Sequence, residues 1–290
     1  MATPDYPPAA GPGREFRFES SSARTLLGLS RMVRPWPGEV LPGVIPPKVR
    51  CCLLDAWTGR LLSADEVLRA EGVWGPRELA LYRNSPSGGV RLDQWARGRL
   101  AAKEAVRLWA RDVLGLVLGL PEIEVLPGRS GRPVVGGAWT GWAAGALSVS
   151  ISPPGRTAAA AAGTIRTGEP LGLDLEPSAR RLSPRVIGRV FSNRERELAA
   201  RASVQDTARR FLSLWCAKEA AAKVVGSGLL GYTEDIVVRE ADFASGTVLA
   251  AVSERLARLF PEVRRRLIPL RLFENNRLTA AISREPESTA

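Results

Sequence analysis

Asp174 and Glu176 stand two apart in Gly172-Leu173-Asp174-Leu175-Glu176. On a strand, a period of two puts both carboxylates on one face and Leu173 and Leu175 on the other. An acidic face on an otherwise apolar strand is costly unless it is hydrated or bound to a cation. The segment therefore reads either as an exposed edge with two solvated acids or as part of a cation site. Further along, Trp215, Glu219 and Lys223 recur at i, i+4 and i+8, along one helix face. Alone, that stripe is also what a Glu–Lys helix pair beside a packed Trp looks like.

Composition limits what these groups can do. The 290 residues contain no histidine, which removes the Ser-His-Asp triad, the Cys-His dyad and His-ligated zinc. Three cysteines, Cys51, Cys52 and Cys216, cannot make a Cys₄ zinc site or a disulfide framework, and point to a reducing, cytoplasmic setting. Cys216 reads as a small packing residue. Hydrophobic residues at 45% and charged residues at 24% suit a folded globular chain. The net charge of +11 favours polyanions, nucleotide phosphates or acidic proteins as partners. The uncharged run 134–155 holds five glycines, four Ser/Thr and two prolines, so it is not read as a membrane span.

The elements that must position these groups follow from periodicity and punctuation. Residues 1–22 and 285–290 read as disordered ends, 23–165 as a first lobe and 166–284 as a second. Strands are expected at Val49–Trp57, Ile123–Val125, Ala146–Ile151, Leu171–Glu176, Ile236–Val238, Thr247–Val252, Leu270–Phe273 and Leu278–Ser283. Helical pieces fall in 64–82, and helices over Leu92–Val113, from Ser192, over Asp206–Val225 and over Glu254–Leu259. Ser192-Asn193-Arg194-Glu195 fits a capping box, and Gly226 suits a helix C′ position. Ala158–Ala162 is ambiguous: propensity favours helix, its place between glycine-bearing turns allows strand. Ala102-Lys103-Glu104-Ala105 recurs 115 residues later as Ala217-Lys218-Glu219-Ala220, which points to an internal duplication. The fold expected is α+β, two similar lobes related by a pseudo-twofold with the site in the cleft between them.

Taken together, the acidic strand and the helix stripe resemble the 4'-phosphopantetheinyl transferase superfamily. Its pattern is G-[IV]-D-x-E followed by W-x-x-K-E-[AS]-x-x-K, matched by Gly172, Asp174, Glu176, Trp215, Lys218, Glu219, Ala220 and Lys223. Leu173 is a mild variant. Gly98-Arg99 with Lys103, Gly131-Arg132-Pro133 and Gly226-Ser227-Gly228-Leu229 resemble further motifs of the larger, two-lobed members, so about residues 90–283 are covered. One position departs: Pro153 stands where members carry a His that contacts a coenzyme A phosphate, and proline has no side-chain donor.

The resemblance implies Mg²⁺-dependent transfer of phosphopantetheine from coenzyme A to a serine of an acidic acyl or peptidyl carrier protein, releasing adenosine 3',5'-bisphosphate. Asp174, Glu176 and Glu219 then form an all-oxygen metal set, which suits Mg²⁺ and not zinc. Glu219 is the expected general base with Glu176 second, and Lys223 binds the transferring phosphate. Arg99, Lys103, Arg132, Arg156, Lys218 and Lys223 are the expected coenzyme A contacts. A monomer acting on fatty-acid, polyketide or non-ribosomal peptide carriers is implied. Two other readings stand beside it: a transferase weakened at Pro153, and a nucleic-acid binder suggested by Arg264-Arg265-Arg266.

Overall fold

The computed structural model describes residues 33–35, 48–54, 72–84, 90–128, 131–142, 147–164, 170–200, 204–261 and 266–283. The segments 1–22 and 285–290, residues 55–57 and 64–71, and Arg264 and Arg265 lie outside that set. The fold is α+β. In its first half, strands β1 (Val33–Pro35), β2 (Val49–Leu54), β5 (Ser148–Ser152) and β6 (Ala158–Gly163) form one sheet in the order β1-β2-β6-β5. A hairpin of β3 (Glu124–Pro127) and β4 (Pro133–Gly136) lies beside β5. Helices α1 (Pro76–Arg83) and α2 (Val90–Trp109) belong to this half.

In the second half, β7 (Leu173–Pro177), β8 (Ile236–Asp242), β9 (Thr247–Val252), β10 (Leu267–Glu274) and β11 (Leu278–Ser283) form a sheet ordered β7-β11-β10-β9-β8. Its helices are α3 (Pro184–Val190), α4 (Asn193–Ala200), α5 (Val204–Val225) and α6 (Glu254–Leu259). The hydrogen-bonded order β2-β6-β5 has its counterpart in β7-β11-β10, with α2 and α5 packed on the two sheets. Among the described residues no helix is long and apolar enough to cross a membrane.

The alanine run settles as the central strand β6. Ala158, Ala160 and Ala162 join the core around α2, while Ala159 and Ala161 face Leu173, Leu175, Ala280 and Ile282 of the second sheet. Burial on both faces overrides the helix propensity of alanine, and the small side chains let a helix and a sheet approach from opposite sides. The expected elements otherwise shift by a few residues. The first long helix begins at Val90 and widens into a π-helical turn over Ala110–Leu114. Sequence reading missed α3, although Ser183-Pro184 announces it: Ser183 Oγ accepts from Val186 N at 3.3 Å and Pro184 opens the first turn.

Edge strand β7 is tied to the first sheet by side chains. Ser148, Ser150 and Ser152 of β5 accept from the amides of Leu171, Leu173 and Leu175 at 2.8, 2.9 and 3.1 Å. Both chains repeat every two residues, so one serine face meets one row of strand amides and satisfies donors that the edge would otherwise leave free. Gly172 makes the other close approach. A Cβ there would lie 2.0 Å from the carbonyl oxygen of Ala220, so α5 rests against bare backbone.

Two buried ion pairs lock the long helices. In the second half the expected capping box forms: Ser192 N donates to Glu195 Oε2 at 2.8 Å and Glu195 N to Ser192 Oγ at 3.3 Å. Glu195 also accepts from Val238 N at 2.8 Å and from Lys218 Nζ at 3.0 and 3.1 Å. In the first half Glu78 accepts from Gly75 N at 3.1 Å, from Val125 N at 2.9 Å and from Lys103 Nζ. All four side chains are fully buried. Each ammonium also lies over the ring just before the helix start, Trp74 at 5.2 Å and Phe191 at 5.6 Å. Removing one partner of a buried pair strands the other charge and costs about 3–5 kcal/mol. Lys218→Met and Lys103→Met should each lower unfolding free energy by about that amount in urea titrations, with the Lys218→Met, Glu195→Gln double variant less destabilised than the sum of its parts.

Candidate active site

Asp174 is only 5% exposed, so it is not the solvated edge acid that its strand alone permits. Its Oδ1 accepts from Ser152 Oγ at 2.9 Å and from Lys223 Nζ at 2.8 Å. Its Oδ2 is buried and has no hydrogen-bond partner. Lys223 also donates to the carbonyl of Leu173 at 2.8 Å. The stripe on α5 thus faces the acidic strand, as the sequence pattern requires. Ser152 holds Asp174 by its hydroxyl proton while accepting from Leu175 N. Sequence reading did not single out Ser152, because the partner strand lies across a sheet interface.

Glu176 is half-buried and paired with Arg180, whose guanidinium lies 4.9 Å over the Trp215 ring. Burial and then the charge of Asp174 push the Glu176 carboxyl up to about 7, against the pull of Arg180 and Lys223. Burial and Asp174 likewise push Glu219 up to about 7. The charge of Asp174 is therefore felt by both neighbouring carboxyls. Among the described residues no three acidic or thiol side chains stand close enough, as they lie, to hold a metal ion. Glu176 is drawn to Arg180 and Asp174 to Lys223, so cationic side chains carry the counter-charge. The chemistry of the set still fits a hard divalent cation: every donor is oxygen, and Asp174 Oδ2 is buried without a partner. Cys216 is fully buried with its thiol pushed well up by desolvation, which suits packing and not nucleophilic chemistry.

A cavity of about 420 Å³ opens beside Lys223. Its walls come from both halves: Arg99 of α2, the turn at Gly131-Arg132-Pro133, β5, Pro153, and Gly226 and Gly228 after α5. Arg99 lies 4.6 Å over the Trp95 ring, burial lowers its guanidinium to about 10, and its Nε is buried without a partner. Arg132 spans the halves. Its Nη2 donates to the carbonyl of Val224 at 2.7 Å and also to that of Val225, satisfying acceptors left free at the end of α5. Gly226, at φ +83°, takes the left-handed C′ position, and a Cβ there would meet Arg132.

The expected phosphate contacts divide accordingly. Arg99, Arg132 and Lys223 line the cavity. Lys103 and Lys218 do not: both are fully buried in the pairs with Glu78 and Glu195, and Lys218 also donates to the carbonyls of Val190 and Thr233. As they lie, both serve as structural cations. Arg156 is exposed and is not among the cavity's lining residues. Pro153 stands at the wall, where it supplies shape and no donor. Arg266, from the run that suggested nucleic acid, pairs with Glu254 at 3.2 Å.

The raised carboxyls set a pH dependence. A group whose folded pKa exceeds its unfolded value contributes stability that is present below the unfolded value, near 4.5, and lost as pH rises through about 7. In EDTA, the urea midpoint should therefore fall between pH 5 and pH 8. Glu219→Gln should shrink that fall; an unchanged fall would remove Glu219 from the coupled set.

Residues 170–265 match the family model of the 4'-phosphopantetheinyl transferase superfamily. The matched span begins just before β7, takes in α5 and ends just past α6, and includes Asp174, Glu176, Trp215, Lys218, Glu219 and Lys223. A search of curated proteins finds no match to the chain.

Proposed function

We propose that the protein is a 4'-phosphopantetheinyl transferase that moves phosphopantetheine from coenzyme A to a serine of an acidic acyl or peptidyl carrier protein. The observation that carries this reading is Asp174. It is a buried carboxylate with one oxygen unpartnered, held between Ser152 and Lys223 inside the span that matches the superfamily. A carboxylate kept in that state is poised for a cation.

Asp174, Glu176 and Glu219 would hold Mg²⁺. When bound, the ion neutralises the diphosphate charge that resists attack at phosphorus. Arg99 and Lys223 bind the phosphates in the cavity, with the Arg99 guanidinium held in place over Trp95. The serine oxygen forms the new bond to the phosphorus bearing the pantetheine arm. The bond from that phosphorus to the adenosine 3',5'-bisphosphate oxygen breaks, and Glu219, or else Glu176, takes the serine proton. A carboxylate beside the cation is held in its charged form and takes the proton only from within hydrogen-bond reach of the serine hydroxyl. The two helix-backed sheets are read as pseudo-twofold lobes, 23–165 and 166–284, acting as a cytoplasmic monomer. A second reading, a transferase with weakened coenzyme A affinity, rests on Pro153 at the cavity wall.

Intact-protein mass spectrometry tests this with coenzyme A, Mg²⁺ and a panel of apo carriers, one with its serine changed to alanine. Wild type should add one phosphopantetheine to the serine carriers only, and EDTA should stop it. Asp174→Asn should lower turnover at least about 100-fold. Transfer that persists in EDTA, or full turnover by Asp174→Asn, would sink the assignment. A coenzyme A KM far above the wild-type value in an Arg99→Leu variant would place the phosphates in this cavity.

A further inference from the structure

A second cavity, of about 730 Å³, lies in the second half, where the β8–β9 and β10–β11 turns meet the first turns of α5. It shares no lining residue with the cavity at Arg99. Its walls are held in place by bonds of their own. In the β8–β9 turn Asp242 Oδ1 accepts from Ala244 N at 3.0 Å and from Ser245 N at 3.3 Å, and Arg271 Nη1 donates to the carbonyl of Ser245 at 2.9 Å. In the β10–β11 turn Asn275 Oδ1 accepts from the amides of Arg277 and Leu278, both at 2.8 Å. Phe243 and Leu272 line the cavity and pack against the core around α5, so part of the wall is apolar.

Two polar groups in this wall lack the partners that such groups ordinarily have. Ser213 of α5 is 2% exposed and lines the cavity, and its hydroxyl makes no hydrogen bond among the described residues. A buried helix serine commonly donates to the carbonyl four residues back, and a buried hydroxyl without any partner costs free energy. Arg210 lines the same cavity three residues earlier, on the same helix face. Its guanidinium is half-buried, lies 4.8 Å over the Phe243 ring and pairs with no carboxylate among the described residues. Arginines elsewhere do find acids, as in Arg50–Asp112 at 2.7 Å and Arg266–Glu254 at 3.2 Å. The other charged groups of the wall are exposed: Arg209 and Glu274, 3.7 Å apart, and Asp206.

We infer that this cavity binds a small apolar monocarboxylate, an aryl or short acyl acid. The inner wall offers one guanidinium and one hydroxyl, which together match one carboxylate: the planar fork of Arg210 takes both oxygens and Ser213 donates its proton to one of them. Phe243 and Leu272 cover the apolar body. The cavity falls within the range of roughly 300–1,000 Å³ common to small-molecule sites, which pair apolar walls with a few placed polar groups. The exposed carboxylates of Asp206 and Glu274 repel a second negative charge on the ligand, which disfavours a phosphate dianion. A carboxylate bound here would satisfy the buried hydroxyl and the unpaired arginine at once.

Calorimetric titration of the full chain with benzoate and with hexanoate, against inorganic phosphate, tests this. At least one of the two acids should bind saturably at a single site, and phosphate at least about tenfold more weakly. Arg210→Gln should weaken the acid at least about tenfold. Ser213→Ala should also weaken it, while the thermal midpoint of the unliganded variant stays no lower than wild type, because the hydroxyl removed has no partner to lose. Saturating coenzyme A should leave the acid's Kd unchanged, since the two cavities share no residue. No saturable binding of either acid, or binding that Arg210→Gln or Ser213→Ala leaves unchanged, overturns the inference. So does displacement of the acid by coenzyme A, or phosphate bound as tightly as the acid. Every readout is binding at this cavity, so the outcome is independent of whether the chain transfers phosphopantetheine.

Discussion

An ammonium group buried away from water needs a carboxylate close by, and that carboxylate needs further donors of its own. Glu78 and Glu195 each meet both needs, by accepting from a helix-start amide, a strand amide and a lysine. One side chain thereby ties the start of a helix, the middle of the long helix and the strand after it. Such a node tolerates little displacement, because losing any one donor leaves the others around a poorly satisfied buried charge. The position of α5, and with it the stripe of Trp215, Glu219 and Lys223, follows from Lys218 being fixed at its centre.

The candidate site uses the opposite arrangement. The node at Glu195 satisfies its carboxylate completely, but the site leaves its own acids short of donors. Asp174 keeps one oxygen unpartnered, and two neighbouring carboxyls are pushed up to about 7 by burial and by its charge. The serine row of β5 and the bare backbone at Gly172 hold the acidic strand against both halves, so the strand cannot relax outward to hydrate these groups. Rigid surroundings and unsatisfied acids together are what a cation and a diphosphate would relieve.

Much of this was legible in the sequence because it is local. Period two put Asp174 and Glu176 on one face, spacing by four aligned Trp215, Glu219 and Lys223, and Ser192 with Glu195 announced a helix start. What the sequence did not show is what burial decided. Lys103 and Lys218 carry the same motif letters as phosphate-binding residues would, but their partners Glu78 and Glu195 lie 25 and 23 residues away in the chain. The serine row is invisible as a docking device because alternating polar residues read equally as a solvated face. Ala158–Ala162 could be assigned only by the two layers that cover it.

The central claim is that the acids around Asp174 and the cavity at Arg99 form one site for a cation and a diphosphate. Calorimetric titration of coenzyme A into the protein, once with Mg²⁺ and once with EDTA, tests that most directly. The account predicts binding that tightens markedly with Mg²⁺ and loses that gain in Asp174→Asn. Equal affinity under both conditions, or a Mg²⁺ effect that survives Asp174→Asn, would contradict it.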